Sequence, residues 1–235
     1  MKKKWTWESI VDVLIREFQE NRYKKGEKMP SENKMAVRFG VTRSEIRKSY
    51  ERLKELGYVY SMQGYGSFFS GKREKIRLSM TDISFSEKMA ALGLSFETKN
   101  IGCQKLKDDS LIHSMLDTDF CEPVYKITRL RILEGEPAAI HVSYMAEDLF
   151  PRIKDEGASV TSVYDYIHSC GYVNLHSENT QLTVSSLSKK ERTLLEIKGY
   201  APSLVLTCRC VTLPSKTIVE VARTIYRSDR FIFEI

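Results

Sequence analysis

The sequence has no apolar run of the length a membrane helix needs, about 20 residues. Its opening Lys2-Lys3-Lys4 is followed by Glu8, Asp12 and Arg16, which break any signal-peptide core. Neither an export leader nor a membrane span is expected. Cysteine is scarce and badly spaced: there are five, an odd number, with no C-x-x-C pair. Cys208 and Cys210 stand two apart on a candidate strand. That excludes a disulfide framework and a zinc ribbon, and it implies reduced thiols in a cytoplasm. The four histidines, His113, His141, His168 and His176, are scattered without an H-x-x-x-H or H-E-x-x-H pattern. His168-Ser169-Cys170 offers two ligands at most, too few for a metal site. A Walker loop, a G-x-S-x-G elbow and a dinucleotide fingerprint are all missing. No metal, cofactor or catalytic constellation is therefore expected, and no internal repeat or low-complexity segment is visible. What remains is an ordinary globular composition, 42% hydrophobic and 29% charged, with room for one or two domains in 235 residues.

Charge is present but unevenly placed. Residues 1–73 hold 17 Lys/Arg against 9 Asp/Glu, whereas the remaining 162 hold 20 against 22. The whole basic excess thus sits at one end, as the electrostatic footprint of a nucleic-acid-binding domain should. A membrane-surface patch would need a helix with its apolar face open to lipid, and the helices read below spend theirs on a core.

The stretch 29–68 organises that basic end. Ser31 follows Pro30 and is placed to cap a helix carrying Met35, Ala36 and Phe39 on one face and stopping at Gly40. Thr42 opens a second helix, with Glu45 three residues on for a capping box. Ile46, Tyr50, Leu53 and Leu56 repeat along its back, and Arg43, Ser44, Arg47 and Lys48 occupy its front. Residues 58–62 and 67–69 read as strands about a Gln63-Gly64-Tyr65-Gly66 turn. Helix, turn, helix and hairpin make a winged helix-turn-helix. The second helix would enter the major groove by its N-terminal end, Arg43 and Arg47 foremost. At the wing tip Gly64 and Gly66 let the backbone approach DNA. Upstream, Thr6 begins a helix with Trp7, Ile10, Val13/Leu14 and Phe18 buried, ending near Asn21 before a turn at 24–27.

Residues 71–75 are polar and without apolar period, and read as a linker. Beyond it the character changes. Strands are expected at 97–106, 123–133, 137–146, 173–185, 203–213 and 217–227, with Phe231-Ile232-Phe233 after them. Turns fall at 134–136 and 214–216, and helices at 84–92, 108–115, 161–170 and 189–197, the last boxed by Ser188 and Glu191. The fold class is α+β: a winged helix-turn-helix domain (1–70), a linker (71–75) and an α+β domain with an antiparallel sheet (76–235).

Two resemblances follow from these motifs. Pro-Ser-Glu, Gly-Val-Thr-Arg, Ile-Arg, Leu-x-x-Leu-Gly and Gln-Gly-x-Gly-Ser-Phe resemble the N-terminal domain of GntR-family bacterial transcription regulators over about the first seventy residues. The family usually has Arg after Pro-Ser-Glu; this chain has Asn33, which keeps hydrogen bonding but loses charge. The resemblance implies DNA contacts from Ser31, Asn33, Thr42, Arg43, Ser44, Arg47, Gly64, Tyr65 and Gly66. Thr-Arg-Leu-Arg at 128–131, Gly-Glu-Pro at 135–137, Ser-Tyr at 143–144, Ser-Val-Tyr at 162–164 and Tyr-Arg-Ser-Asp-Arg-Phe at 226–231 resemble the UTRA effector domain of the HutC subgroup, which has a chorismate-lyase-like fold.

The alternation in the sheet domain carries its own chemistry. Arg129 and Arg131 leave one face of a strand, where two forks side by side suit a phosphate or carboxylate. Glu220, Ala222, Thr224 and Tyr226 share a face of another, a floor with acceptors for a polar ligand. The UTRA resemblance adds Phe85, Ser86, Ser162 and Tyr164 to this effector site. It also adds His141, at a position often acidic in that domain.

The chain therefore reads as a cytoplasmic transcription regulator, a repressor rather than an enzyme. Its expected partners are double-stranded operator DNA with an inverted repeat, a second copy of itself in a homodimer, and a small-molecule effector such as a sugar phosphate or other acidic metabolite. An enzyme of lyase-like fold with a DNA-binding appendage is the first rival, since fold does not confer activity. A constitutive DNA-binding dimer without effector is the second.

Overall fold

The computed structural model describes residues 5–71, 75–79, 84–107, 109–197 and 202–234. The expected linker falls largely on 72–74, outside the described residues, as do Lys2–Lys4 and the start of the helix expected at 108–115. The chain divides into two units, Met1–Lys75 and Ile76–Ile235.

In the first unit, Thr6 caps α1 (Trp7–Gln19) and Ser9 closes its box. Ile10, Val11, Leu14 and Phe18 are buried, with Val11 taking the place expected for Val13 and Trp7 half-buried. α2 (Glu32–Phe39) starts at Ser31, whose hydroxyl accepts from the Lys34 N–H, and ends at Gly40 with φ of +63°. Thr42 accepts from the Glu45 N–H at the head of α3 (Arg43–Glu55). The second half of that expected box is spent elsewhere, because the Glu45 carboxylate accepts from the backbone N–H of Trp7 at 3.0 Å. That amide is one of the orphan donors of α1, and α3 reaches it more directly than its own cap. Ser49 completes the grip, donating to the Trp7 carbonyl at 3.0 Å. Buried Glu17 pairs with Arg38, fastening α1 to α2.

The wing is β1 (Val59–Met62) against β2 (Gly66–Phe69), antiparallel. Phe18 stacks on Phe69 at 4.3 Å between centroids, which roots the wing in the helical core. Residues 26–29, which include the end of the turn expected at 24–27, line the outer edge of β2. Gly26 N–H donates to the Phe69 carbonyl, and Met29 N–H to that of Ser67.

The second unit is built on a six-stranded antiparallel sheet. Its strands are β4 (Phe96–Lys105), β5 (Val124–Leu133), β6 (Glu136–Ala146), β7 (Leu175–Ser186), β8 (Pro202–Thr212) and β9 (Ile218–Arg227), in the order β4-β5-β6-β9-β8-β7. Glu134 and Gly135, with φ of +52° and +79°, make the two-residue hairpin between β5 and β6. α5 (Ser110–Leu116) lies between β4 and β5, and α8 (Lys189–Leu194) between β7 and β8. A β-α-β-β unit therefore occurs twice, meeting at β6 and β9, although the sequence shows no repeat. The strand before α4 (Phe85–Ala91) was not expected: β3 (Ile76–Ser79) pairs in parallel with β10 (Phe231–Glu234), so the unit is not purely antiparallel.

One sheet face is sealed by α5 and α8, with Ile112, Leu116 and Leu195 over Ile140, Val221 and Ile225. The other carries two separate apolar clusters. α6 (Ile153–Glu156) and α7 (Val163–Ser169) set Ile153, Val163 and Ile167 over Ile127 and Met145. α4 and the β3–β10 pair set Phe85, Met89, Leu78 and Phe231 over Leu133, Ala139 and Tyr226. Between these clusters the sheet presents polar side chains.

Glu45→Ala leaves the Trp7 amide without its carboxylate. We expect it to destabilise the winged unit by about 1 kcal/mol, read as a lowered urea midpoint for the N-terminal unit with an unchanged slope.

Candidate functional sites

Every residue proposed to touch DNA lies exposed in the first unit. Ser31 and Asn33 occupy the start of α2, and Thr42, Arg43, Ser44 and Arg47 the start of α3. Gly64, Tyr65 and Gly66 form the wing tip, where the glycines have φ of +78° and +108°. Arg43 Nε donates to Glu32 at 2.8 Å and Arg47 Nε to Glu51 at 3.2 Å. Both are solvent-exposed pairs, weak enough for phosphate or a base edge to replace the carboxylate. Sequence reading missed these two acidic partners.

In the second unit Phe85, Ser86, Arg129, Arg131, His141, Ser162, Tyr164, Glu220 and Tyr226 all line one cavity of about 80 Å³. Strand alternation supplies the floor: Arg129 and Arg131 from β5, His141 from β6, and Glu220 and Tyr226 from β9. The walls come from α4 and from the N-terminal turn of α7, where Ser162 is the cap, accepting from the Asp165 N–H. Sequence reading missed Lys88, Ser177, Thr180, Leu206, Cys208 and Cys210, which also line it. The alternation of β8 beside β9 could have found Leu206, Cys208 and Cys210. Thr180 sits in the β7 bulge between Glu178 and Gln181, a register break with no sequence signal.

The electrostatics are those of a buried, cationic floor. Arg129 is 1% exposed and Arg131 3%. Arg129 donates to the Ser143 hydroxyl at 2.8 Å and to the Thr161 carbonyl at 3.4 Å. Arg131 donates to Thr98 and lies over the Phe85 ring at 5.1 Å. The Nε of each arginine finds no hydrogen-bond partner among the described residues. Burial lowers both guanidinium pKa values, to about 10 for Arg129 and, with Arg129 adding repulsion, to about 9 for Arg131; both stay charged at neutral pH. Burial raises the Glu220 pKa, while Arg129, the Ser143 hydroxyl and Arg131 pull it down. His141 is held well below its usual range by burial and then by the two arginines. Its ring keeps 15% of its side-chain surface exposed, yet both nitrogens are buried. The 3.8 Å approach of His141 Nε2 to Glu220 Oε1 is therefore a contact of a neutral ring, not an ion pair.

An exposed basic recognition helix with a wing, and a sheet domain with a buried cationic cavity, define a DNA-binding transcription regulator with a ligand-binding domain. Residues 6–69 match the bacterial regulatory proteins of the gntR family, and residues 91–232 match the UTRA domain. The chain is 28% identical over 225 residues to the HTH-type transcriptional repressor NagR of Bacillus subtilis, covering 95% of this chain and 91% of that one. It is 23% identical to the regulator TreR of the same organism, covering 96% and 94%. Among solved structures, PhnF from Mycobacterium smegmatis superposes with a TM-score of 0.62 at 22% identity, covering 96% and 97%, and shares the fold. The chain belongs to the GntR family, in the group whose second domain is UTRA. Among the described residues no helix is long and apolar enough to cross a membrane.

The raised pKa of Glu220 fixes a pH signature. Its protonated form is favoured in the folded state, so the wild type loses stability as pH rises from about 4.5 through the folded pKa. Glu220→Gln, which cannot ionise, should gain stability relative to wild type across that window and run parallel to it above. Paired denaturant titrations from pH 4 to 8 test the sign.

Proposed function

We propose that this chain is a cytoplasmic repressor that binds an inverted-repeat operator as a homodimer and changes its hold on DNA when an acidic, hydroxylated metabolite fills the UTRA pocket. The observation that carries the reading is the floor of that pocket. Two buried arginines keep Nε free of partners among the described residues, and Glu220 Oε1 lacks one likewise. The first pair is a fork for a phosphate or carboxylate; the second accepts from a hydroxyl. The relatives support it in kind. One is named a repressor, and another, the Escherichia coli repressor MngR at 21% identity over 230 residues, is named for mannosyl-D-glycerate, a hydroxylated acid. The homodimer rests on geometry, since one winged head spans a few base pairs and two-fold protein symmetry is mirrored in an operator. Against the enzymatic rival, saturable binding without turnover decides. Against the constitutive dimer, ligand-dependent loss or gain of operator binding decides.

On operator DNA, Arg43→Ala should cost about 1–3 kcal/mol and relax base preference if the residue reads guanine. A phosphate contact would instead weaken all sequences alike and flatten the salt slope. Asn33→Arg should tighten binding at low salt. Operator titrations at two salt concentrations separate these outcomes, and no change from Arg43→Ala would remove α3 as the reading helix.

Arg129→Ala should leave operator binding nearly intact, because the residue is not in the winged unit. It should weaken the effector response by about 1.5–3 kcal/mol, one charge-assisted contact. A thermal-shift screen over sugar phosphates and sugar acids finds the ligand, and a gel-shift titration then compares the two proteins. Equal response at every ligand concentration would place the anion site elsewhere.

A further inference from the structure

β7 closes one side of the six-stranded sheet, and no strand among the described residues lies beyond it. Such an edge presents unpaired N–H and C=O groups, and sheets guard it with charges, bulges or a covering segment. The opposite edge, β4, is guarded in these ways. Glu97, Lys99 and Lys105 punctuate it, and a bulge falls between Asn100 and Gly102. The Asn100 amide also donates to the Gly157 and Val160 carbonyls at 3.0 and 2.7 Å, tying the strand to the segment between α6 and α7. β7 is bulged only between Glu178 and Gln181. Its remaining run, Gln181-Leu182-Thr183-Val184-Ser185-Ser186, has no charge, no proline and no break in register.

The side chains of that run leave a pattern unfinished. Leu182 stands opposite Leu206 and Val184 opposite Leu204, and both of those leucines pack against the apolar cluster of Phe85 and Phe231. Two apolar rows therefore run out to the edge and stop. Val184 is 69% exposed, the most exposed large apolar side chain described in the second unit.

We propose that this edge is the seam between two copies of the chain, residues 181–185 of β7 pairing antiparallel with the same residues of a second copy about a two-fold axis at Thr183. The inference rests on the homodimer proposed above and deepens it by naming the surface. A strand that meets itself must avoid setting like charges opposite one another, and this run carries none. A continuous sheet also requires that opposed residues come from the same face. With the axis at Thr183, Leu182 of each copy meets Val184 of the other, Gln181 meets Ser185, and Thr183 meets Thr183. Both apolar side chains gain an apolar neighbour, and every other pair is polar. Moving the axis by one residue leaves Val184 opposite Thr180, or Leu182 opposite Ser186. Backbone hydrogen bonds supply the affinity of such an added strand, and alternate side chains fix its register. The axis crosses the sheet from face to face, so the two cationic cavities would open on the same side of the joined sheet.

Thr183→Cys tests the seam in the full chain. Directly opposed residues hold their Cβ atoms about 4.5–5.5 Å apart, close to what a disulfide spans. The variant is made with Cys121, an exposed native thiol, replaced by Ser, and mild oxidation is followed by non-reducing electrophoresis. Thr183→Cys should be captured as a covalent dimer, whereas Ser185→Cys, which faces Gln181, should not. Sedimentation of Val184→Lys should show self-association weakened about tenfold, with circular dichroism unchanged because the residue is exposed. Suppose wild type sediments as a dimer, but Thr183→Cys stays uncaptured, Ser185→Cys is captured equally, or Val184→Lys associates as tightly as wild type. Any of these overturns the seam and leaves the homodimer standing. A wild type that is monomeric at every concentration, both free and on operator DNA, overturns both.

Discussion

Two guanidinium groups held out of water on one face of a sheet set the terms for the second unit. An isolated buried cation is very costly, and the surroundings of Arg129 and Arg131 show how that cost is met. Ser143, Thr98 and the Thr161 carbonyl accept from their outer nitrogens, Phe85 and Phe96 offer ring faces to Arg131, and Glu220 supplies an opposing charge. The compensation stops short of Nε on both residues. Apolar clusters on either side hold the floor in place, so the charges cannot relax toward water by a local shift. Burial, and then the same pair, holds His141 well below its usual range.

The winged unit solves a different problem, that of presenting basic side chains rigidly from a small core. Its α3 seizes both backbone polar groups of Trp7, one with Glu45 and one with Ser49. Tyr50 reaches the Pro30 carbonyl at 2.7 Å, so the apolar back of the recognition helix is tied to the segments on both sides while Arg43, Ser44 and Arg47 face solvent. The wing is anchored by the Phe18–Phe69 stack and edged by residues 26–29. Each of these contacts removes freedom from the helix without using its front.

Much of this was legible in the sequence because it is local. Ser31, Gly40, Thr42 and the 134–136 turn act within a few residues, and strand alternation fixes which face Arg129, Arg131, Glu220 and Tyr226 share. What the sequence hides is non-local. Glu45 has the spacing of a capping box, and only the placement of α1 explains why its carboxylate serves Trp7. β3 alternates Ile76-Arg77-Leu78-Ser79, but four residues are too few to mark a strand, and its pairing depends on β10 at the far end of the unit. Cys208 and Cys210 join the pocket only because β8 lies next to β9. The doubled β-α-β-β plan leaves no trace in residue identity, since α5 and α8 need only be apolar on one side.

The parallel β3–β10 pair also bears on the order in which the protein is made. β3 opens the second unit, yet its only strand partner among the described residues comes after β9, and Phe231 and Leu78 belong to the same apolar cluster. A contact of such long sequence separation forms late. The winged unit, by contrast, closes its core with Phe69, and a domain that emerges first from the ribosome folds first. The nascent chain therefore carries a finished DNA-binding head while its ligand-binding domain is still being translated.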